Sequence, residues 1–171
     1  MKGGGFEIRT ARFRVSSCPR FLARLRELAA AHATRITCFN ADLMAGRAHA
    51  EAAMERGLRS VRTGTAISSS LEMEVLLFAA GSRQCSNAER FGIHEGENRA
   101  YVCLCPPDEA ALRDLSDLME FVDEDWEPLS EEKRERLREA FGITEAELAA
   151  AGPARFRDLV LERVALLEVY R

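Results

Sequence analysis

The 171-residue chain has little of what marks a membrane protein, a disulfide-rich secreted protein or a metal site. It has no run of about 18 apolar residues, so we expect no membrane-spanning segment. Its five cysteines include no Cys-x-x-Cys pair, and its three histidines lie far apart, without a carboxylate or cysteine at ligand spacing. We therefore expect reduced structural thiols and no metal. Because no signal-like apolar run follows residue 1, we also expect a cytoplasmic protein.

The motifs of common enzyme families are also missing. The sequence contains no phosphate-binding glycine loop, no His-Glu-x-x-His and no Gly-x-Ser-x-Gly. Helix capping explains Ser68, Ser69 and Ser70 better than nucleophilic attack, since no base lies near them in the sequence. Glu72 and Glu74 would point in different directions from a helix and cannot form a catalytic acid–base pair. These absences favour a binding protein, without a cofactor or a small-molecule substrate, over an enzyme.

Charge is distributed unevenly along the chain. The net charge of −4 divides into +5 for residues 1–105, −10 for residues 106–152 and +1 for residues 153–171. The basic first part can meet an anionic partner, although a solvated surface with a chance excess of arginine explains the same counts. The length predicts a single domain over residues 1–171, with an acidic helical segment at about 107–152 and a C-terminal helix at 153–171.

The most apolar stretch, residues 71–80, is predicted to be a central buried helix. No charged residue follows Glu74 within it, and apolar side chains occupy most of its circumference. Ser69 is the predicted N-cap, and Glu72 completes a capping box. Gly81 is placed to end the helix in the left-handed conformation.

The remaining segments predict a small sheet covered by helices. Residues 6–15 alternate between polar and apolar with a change of phase near Thr10, which indicates a bulged strand or two strands. Residues 34–39 and the apolar run 100–105 predict further strands, the second of them buried on both faces. Helices are predicted at about 19–32, 43–61, 86–91, 107–119, 130–142, 144–151 and 153–171. The fold class is therefore α/β, a small central β-sheet packed by several helices, with a helical C-terminal part.

Three stretches together resemble a known family. They are Phe39-Asn40-Ala41-Asp42 with Ala45-Gly46-Arg47-Ala48-His49, residues 70–84, and Phe91-Gly92-Ile93 before the apolar strand. This pattern is similar to the small accessory subunit of the KEOPS (EKC) complex, whose eukaryotic counterpart is the PRPK-binding protein. Residues 159–167 look like the archaeal form. Ser69 stands where the family is expected to have asparagine, and both residue types cap helices.

The resemblance implies that this chain catalyses nothing itself. Its family members bind the small atypical kinase/ATPase of the complex and help to recruit tRNA by holding the single-stranded 3′ end. A separate subunit makes threonylcarbamoyladenosine in the tRNA. The implied fold is an α/β domain with a small sheet, in agreement with the segments above.

Single-stranded RNA ends are held by arginines on phosphates and by apolar or planar groups under unstacked bases. Given the resemblance, the candidate tRNA contacts are Arg59, Arg62, Arg83, Arg90, Phe91 and Ile93. The alternative is structural: Phe91 and Ile93 belong to the core, Arg83 is a structural hydrogen-bond donor, and the other arginines are solvated or paired with carboxylates. The candidate kinase contacts lie in the final helix and are Leu161, Val164, Leu167 and Tyr170. Packing inside the domain is the alternative for Val164 and Leu167.

Two other functional classes remain open at this point. A small cytosolic enzyme would use the thiol of Cys85 or Cys103 as its nucleophile. A structural dimerisation module would self-associate through the apolar final helix.

Overall fold

The computed structural model describes residues 5–169, which form a four-stranded sheet and eight α-helices. Two single turns of 3-10 helix lie at Ala41–Leu43 and Pro153–Arg155. In chain order the elements are β1 (Glu7–Val15), α1 (Cys18–Ala31), β2 (Arg35–Asn40), α2 (Arg47–Arg62), α3 (Leu71–Ala80), α4 (Cys85–Glu89), β3 (Gly96–Cys105), α5 (Glu109–Leu115), β4 (Glu120–Val122), α6 (Glu131–Phe141), α7 (Glu145–Ala151) and α8 (Phe156–Val169). The α/β fold class is confirmed.

The strands lie in the order β2-β3-β1-β4, and all neighbours are antiparallel. β1 pairs with β3 over all nine of its residues in one uninterrupted register, so the prediction of a bulge or of two strands was wrong. The change of phase has another cause. Ile8 faces one hydrophobic core while Ala11 and Phe13 face the other, because helices cover both faces of the sheet.

The two cores differ in the helices that close them. On one face of the sheet, α1 and α5 pack with Leu25, Ala29, Ala111 and Leu115 against the strands. On the other face, residues of α2, α3, α6 and α8 form the larger core. The prediction that the apolar run of β3 is buried on both sides is confirmed, since Tyr101 and Cys103 lie in the larger core and Val102 and Leu104 in the smaller one.

The central helix α3 is confirmed as a buried helix between other elements. Val75, Leu77 and Phe78 are fully buried, and Gly81 ends the helix with φ of +60°. α3 crosses α2 closely at Gly57, where a Cβ would lie 3.2 Å from the Cα of Val75. A glycine therefore lets these two helix backbones approach each other.

The start of α3 differs from the prediction. Ser70, not Ser69, is the N-cap, and its hydroxyl accepts a hydrogen bond from the backbone N–H of Met73. With Ser70 as the N-cap, the N3 position belongs to Met73, so Glu72 does not close a capping box. Its carboxylate instead pairs with Arg35, 3.0 Å away. Glu74 is fully buried and is bonded to the loop before the helix, rather than acting only as a charge near the helix dipole.

The acidic segment 107–152 is less helical than predicted. α5 ends at Leu115, and the three-residue strand β4 then pairs with residues 10–12 of β1. Residues 123–130 form an irregular strap before α6, and Trp126 anchors it with its ring 5.7 Å from that of Tyr101. The helix predicted at 144–151 is confirmed as α7, and Thr144 and Glu147 form a capping box at its start.

The last described helix, α8, is part of the larger core. Its buried side chains are Phe156, Val160, Val164 and Leu167. They recur every three or four residues and so share one face of the helix. α8 contacts α2, α3 and α6. A Cβ on Gly81 would lie 3.2 Å from the carbonyl oxygen of Arg163, so the end of α3 and the backbone of α8 are close together.

Candidate functional site

An apolar groove runs between α1 and α3, with the edge strand β2 as its floor. Its volume of about 780 Å³ is in the range of ligand-binding clefts. One wall is formed by residues of α1, namely Cys18, Leu22, Leu25, Arg26, Ala29 and Ala30. Thr34 and residues 35–38 of β2 form the floor. The other wall consists of the N-cap Ser70 and of Glu72, Met73 and Leu76 of α3, together with Glu89, Gly92 and Ile93 at the end of α4 and beyond it. Leu22 is one of the few large apolar side chains that are exposed, at 38%.

Local sequence signals position both walls of the groove. α1 begins at the N-cap Ser17, with Pro19 in its first turn, and turns Leu25 and Ala29 into the core. α3 follows the N-cap Ser70, and the ion pair of Glu72 with Arg35 joins its first turn to the first residue of β2. The groove is therefore bounded at this point by a charged pair and along its length by apolar side chains.

Arginines surround the groove on the wall formed by α1 and near its α4 end. α1 carries three exposed arginines, Arg20, Arg24 and Arg26, with one glutamate. Arg83 and Arg90 are exposed on either side of α4, and Arg90 lies in the chain between the lining residues Glu89 and Gly92. Arg90 makes no ion pair with any residue in 5–169. The groove lining also carries the carboxylates of Glu72, which pairs with Arg35, and of Glu89, so the excess of positive charge near the groove comes from the arginines of α1 and of the α4 region. The phosphates of a single-stranded RNA can bind to such arginines.

The structure divides the six candidate tRNA residues between two places. Ile93 lines the groove, and Arg83 and Arg90 lie nearby in the chain. Arg59 and Arg62 are instead on α2, which contacts α8. Arg62 is exposed without an ion pair to the described residues, whereas Arg59 pairs with Glu168 at 3.1 Å.

The expectation that Phe91 stacks on a base is wrong for this structure. Its side chain is 2% exposed and packs edge-to-face against Phe141, with ring centroids 5.6 Å apart. The ring of His49 also lies against it, at 6.5 Å. The structural alternative therefore applies to Phe91, because a ring enclosed by the larger core cannot reach a ligand.

The four candidate kinase residues are also separated. Val164 and Leu167 are buried in the larger core, so they cannot themselves form a docking surface. Leu161 is half-buried, and Tyr170 lies outside the described residues. Leu161 shares one face of α8 with Ala165 and with Val169, which is 71% exposed. We call these three residues the α8 stripe.

An ion-pair cluster joins the end of α8 to α2. The carboxylate of Glu168 accepts hydrogen bonds from Arg56 and Arg59. Burial opposes ionisation of Glu168, but the hydrogen bonds from Arg59 and Arg56 outweigh it and hold the pKa of the carboxyl below its ordinary value. Arg59 is therefore engaged in holding α8, which reduces its availability to phosphate.

A second charged cluster lies at the N-terminus of α2 and is filled by the chain itself. The carboxylate of Glu127 accepts a hydrogen bond of 2.8 Å from the backbone N–H of Arg47. Gly46, with φ of +96°, leaves room for that carboxylate, which a Cβ would strike. Arg157 donates to the carbonyl oxygens of Glu127 and Ala45. The strap thus caps α2, an arrangement that pairs a carboxylate with a helix N-terminus.

The buried thiols of Cys38 and Cys103 are poorly suited to catalysis. Burial raises the pKa of Cys103 well above its ordinary value, and it raises the pKa of Cys38 to about 12. Both thiols are therefore expected to be protonated near neutral pH, when a nucleophile must be a thiolate. Cys85 is exposed on the five-residue helix α4.

The described part of the chain holds no group of three or more histidine, cysteine or acidic side chains arranged to bind a metal ion. None of the helices between residues 5 and 169 combines the length and the apolar character needed to cross a bilayer.

Sequence reasoning missed most of the residues that line the groove. The walls come from α1 and α3, which are far apart in the chain, and β2 forms a floor only because it lies at the edge of the sheet. Leu22 is the one local sequence signal for the groove. It lies next to Phe21 on the amphipathic α1 and makes the apolar face of this helix wider than packing against the core requires.

Comparison with known proteins supplies the last observation. The family model described as kinase binding protein CGI-121 matches residues 19–168, which include every element from α1 to nearly the end of α8. No curated protein is similar enough to the chain to count as a match.

Proposed function

Because the chain belongs to the CGI-121 family of kinase-binding proteins, we propose that it is a non-catalytic, cytoplasmic accessory subunit of a KEOPS-type complex. In this proposal it binds the kinase/ATPase subunit and helps to recruit tRNA for threonylcarbamoyladenosine modification. The family supplies the kinase partner, and the resemblance to the KEOPS subunit supplies the complex and the tRNA.

The observation that carries the tRNA part is the groove between α1 and α3. Its volume of about 780 Å³ is large enough for a few terminal nucleotides but not for a duplex. Apolar side chains line it, including Ile93, Leu22 and Met73, and exposed arginines stand around it. A single-stranded end can place its bases on such a floor while its phosphates meet the arginines.

The kinase part is supported by the α8 stripe. Exposed apolar side chains serve docking when they form a continuous surface, and the partly exposed Leu161 and Ala165 continue into the exposed Val169 along one face of α8.

The test of the proposal compares two tRNAs. The purified protein is titrated with intact tRNA and with the same tRNA lacking its unpaired 3′-terminal nucleotides, at several salt concentrations. We expect the trimmed tRNA to bind at least 10-fold more weakly, because the missing nucleotides supply both phosphate charge and base stacking. Equal affinity for the two tRNAs would contradict the end-holding role.

The two alternatives have less support. An enzyme that uses Cys103 would need a thiolate at a buried position where the thiol is strongly favoured. A dimerisation module would use the α8 stripe for a second copy of this chain, and sedimentation of the isolated protein as a monomer would exclude it.

A further inference from the structure

The floor of the groove carries main-chain groups that point away from the sheet. The N–H of Asn40, at the end of β2, donates to the carbonyl oxygen of Phe91, 2.7 Å away, and not to β3. In an antiparallel strand the N–H and C=O of one residue point to the same side, and this side alternates along the strand. The N–H and C=O groups of Cys38 and Ile36 therefore also point away from β3.

The rest of the sheet agrees with this assignment. β1 pairs with β4 from Thr10 to Arg12, and a three-residue ladder of this kind has its hydrogen-bonded pairs at its two ends. The even-numbered residues of β1 therefore bond β4, which leaves the odd-numbered ones to bond β3. Through the registers, the odd-numbered residues of β3 then bond the odd-numbered residues of β2, Thr37 among them. The even-numbered residues of β2 are thus left facing the groove.

These outward groups have no partner among residues 5–169. Ile36 and Cys38 line the groove, although each residue as a whole is only 5% and 6% exposed, respectively. A backbone donor or acceptor in such a place normally has a hydrogen bond, because leaving it without one is unfavourable. A polar edge at the bottom of an apolar groove therefore points to a ligand.

The dimensions decide between two kinds of ligand. A peptide that adds as a strand needs several consecutive free residues along an edge. Here only Ile36 and Cys38 have free main-chain groups, since the N–H of Asn40 is bonded to Phe91. The helices α1 and α3 also flank this edge on both sides. A nucleobase needs less length: it has a flat apolar face for the walls and a short edge on which a donor lies next to an acceptor.

We propose that the free main-chain edge of β2 at Ile36 and Cys38 hydrogen-bonds the edge of an unstacked base at the 3′ end of the bound RNA. The N–H and C=O of one strand residue lie side by side and match an acceptor and a donor on the base. The inference rests on the proposed function, because that function identifies RNA as the ligand of the groove. It adds that the base is recognised by backbone rather than by side chains.

The test removes one backbone donor and leaves the fold in place. Cys38→Pro deletes the N–H that faces the groove, and proline is tolerated at an edge-strand position whose N–H does not bond the neighbouring strand. Cys38→Ala is the matched control, since it removes the thiol and keeps the N–H. We expect Cys38→Pro to bind tRNA about 10-fold more weakly than Cys38→Ala.

A second measurement needs no proline. Wild-type protein is titrated with RNA ending in adenosine and with the same RNA ending in purine riboside, which keeps the ring but lacks the amino donor. We expect the adenosine form to bind several-fold more tightly. If the two RNAs bind equally, the inference is wrong, whether or not Cys38→Pro folds.

The remaining outcomes separate the inference from the proposed function. If Cys38→Pro folds and binds tRNA like Cys38→Ala, the backbone edge does not read the base, although the end-holding role stands. If Cys38→Pro loses binding to the kinase but keeps binding to tRNA, the edge belongs to a protein partner and the inference is overturned. If the control variant Cys38→Ala binds intact tRNA no more tightly than trimmed tRNA, the proposed function itself is wrong.

Discussion

The hydroxyl of Ser60 on α2 donates a hydrogen bond of 2.7 Å to the carboxylate of Glu74 on α3, and both side chains are buried. The same carboxylate accepts the backbone N–H groups of Ile67 and Ser68, at 2.9 and 2.8 Å. One buried acid therefore ties the connecting loop to both helices, and through α3 it fixes one wall of the groove.

Replacement of this acid should be costly. We expect Glu74→Ala to lower the free energy of unfolding by about 3 kcal/mol, because two backbone donors and one hydroxyl lose their partner in a dry site. Ser60→Ala should cost about 1 kcal/mol. Urea unfolding measures both. Glu72→Ala is the matched control on the same helix, and a cost for Glu74→Ala no greater than that of the control would contradict the structural role.

His49 should make stability depend on pH. Its Nδ1 accepts from the N–H of Ala45 at 2.9 Å and its Nε2 donates to the carbonyl of Ala79 at 2.8 Å, so the ring is neutral. Burial lowers the pKa of His49 from 6.5 to about 4, so between these values the unfolded chain binds a proton that the native state does not. Stability should therefore fall by about 3 kcal/mol as the pH drops from above 6.5 to 4.

Urea unfolding between pH 7 and 4.5 measures this slope. His49→Gln should flatten the pH dependence, because glutamine offers a donor and an acceptor but takes up no proton. A wild-type stability that does not change between pH 6.5 and 5 would show that His49 is not buried as described.

Arg83 and Arg90 should contribute to tRNA binding through phosphates. We expect Arg83→Ala with Arg90→Ala to weaken tRNA binding several-fold at low salt and to reduce the slope of log affinity against log salt by about 0.7 for each phosphate that is no longer neutralised. Filter binding over a salt series measures both. The control pair Arg136→Ala with Arg155→Ala removes two exposed charges from α6 and from the 3-10 turn before α8, elements that contribute no lining residue and do not flank α4. Should both pairs weaken binding equally, the effect would be one of net charge alone.

The α8 stripe should be required for kinase binding. Ala165→Glu with Val169→Glu places charge on an exposed apolar face, so we expect the affinity for the kinase subunit to fall more than 10-fold with little change in stability. Val164→Glu, in contrast, should unfold the protein, because it buries an unpaired charge in the core. Titration calorimetry and thermal unfolding distinguish these effects. Ala150→Glu on the exposed face of α7 is the control; a folded stripe variant that binds as tightly as this control would exclude the assignment.

Much of the fold could be predicted because its signals are local. The apolar run before Pro106, the periodicity of α8 and Gly81 after α3 each depend on neighbouring residues, and each prediction is confirmed. β4 could not be predicted in the same way. It has three residues, one of them Glu120, and it exists because β1 offers it an edge.

The site was harder to predict because it depends on strand order. A sequence indicates that residues 34–39 form a strand, but not that this strand lies at the edge with a groove beside it. Phe91 illustrates the converse error. A phenylalanine between Arg90 and Gly92 has the composition of an RNA contact, yet Phe141, fifty residues later, encloses it in the core.

The two-sided sheet has a consequence for synthesis on the ribosome. Every residue of the smaller core lies at or before Phe121, whereas the larger core also requires Phe156, Val160, Val164 and Leu167. A nascent chain can therefore close one side of the sheet while the opposite side still exposes Phe39, Tyr101 and the helix hairpin of α2 and α3. During that interval the exposed apolar surface is a binding site for a chaperone, and the packing of α8 against the sheet and the other helices then buries that surface.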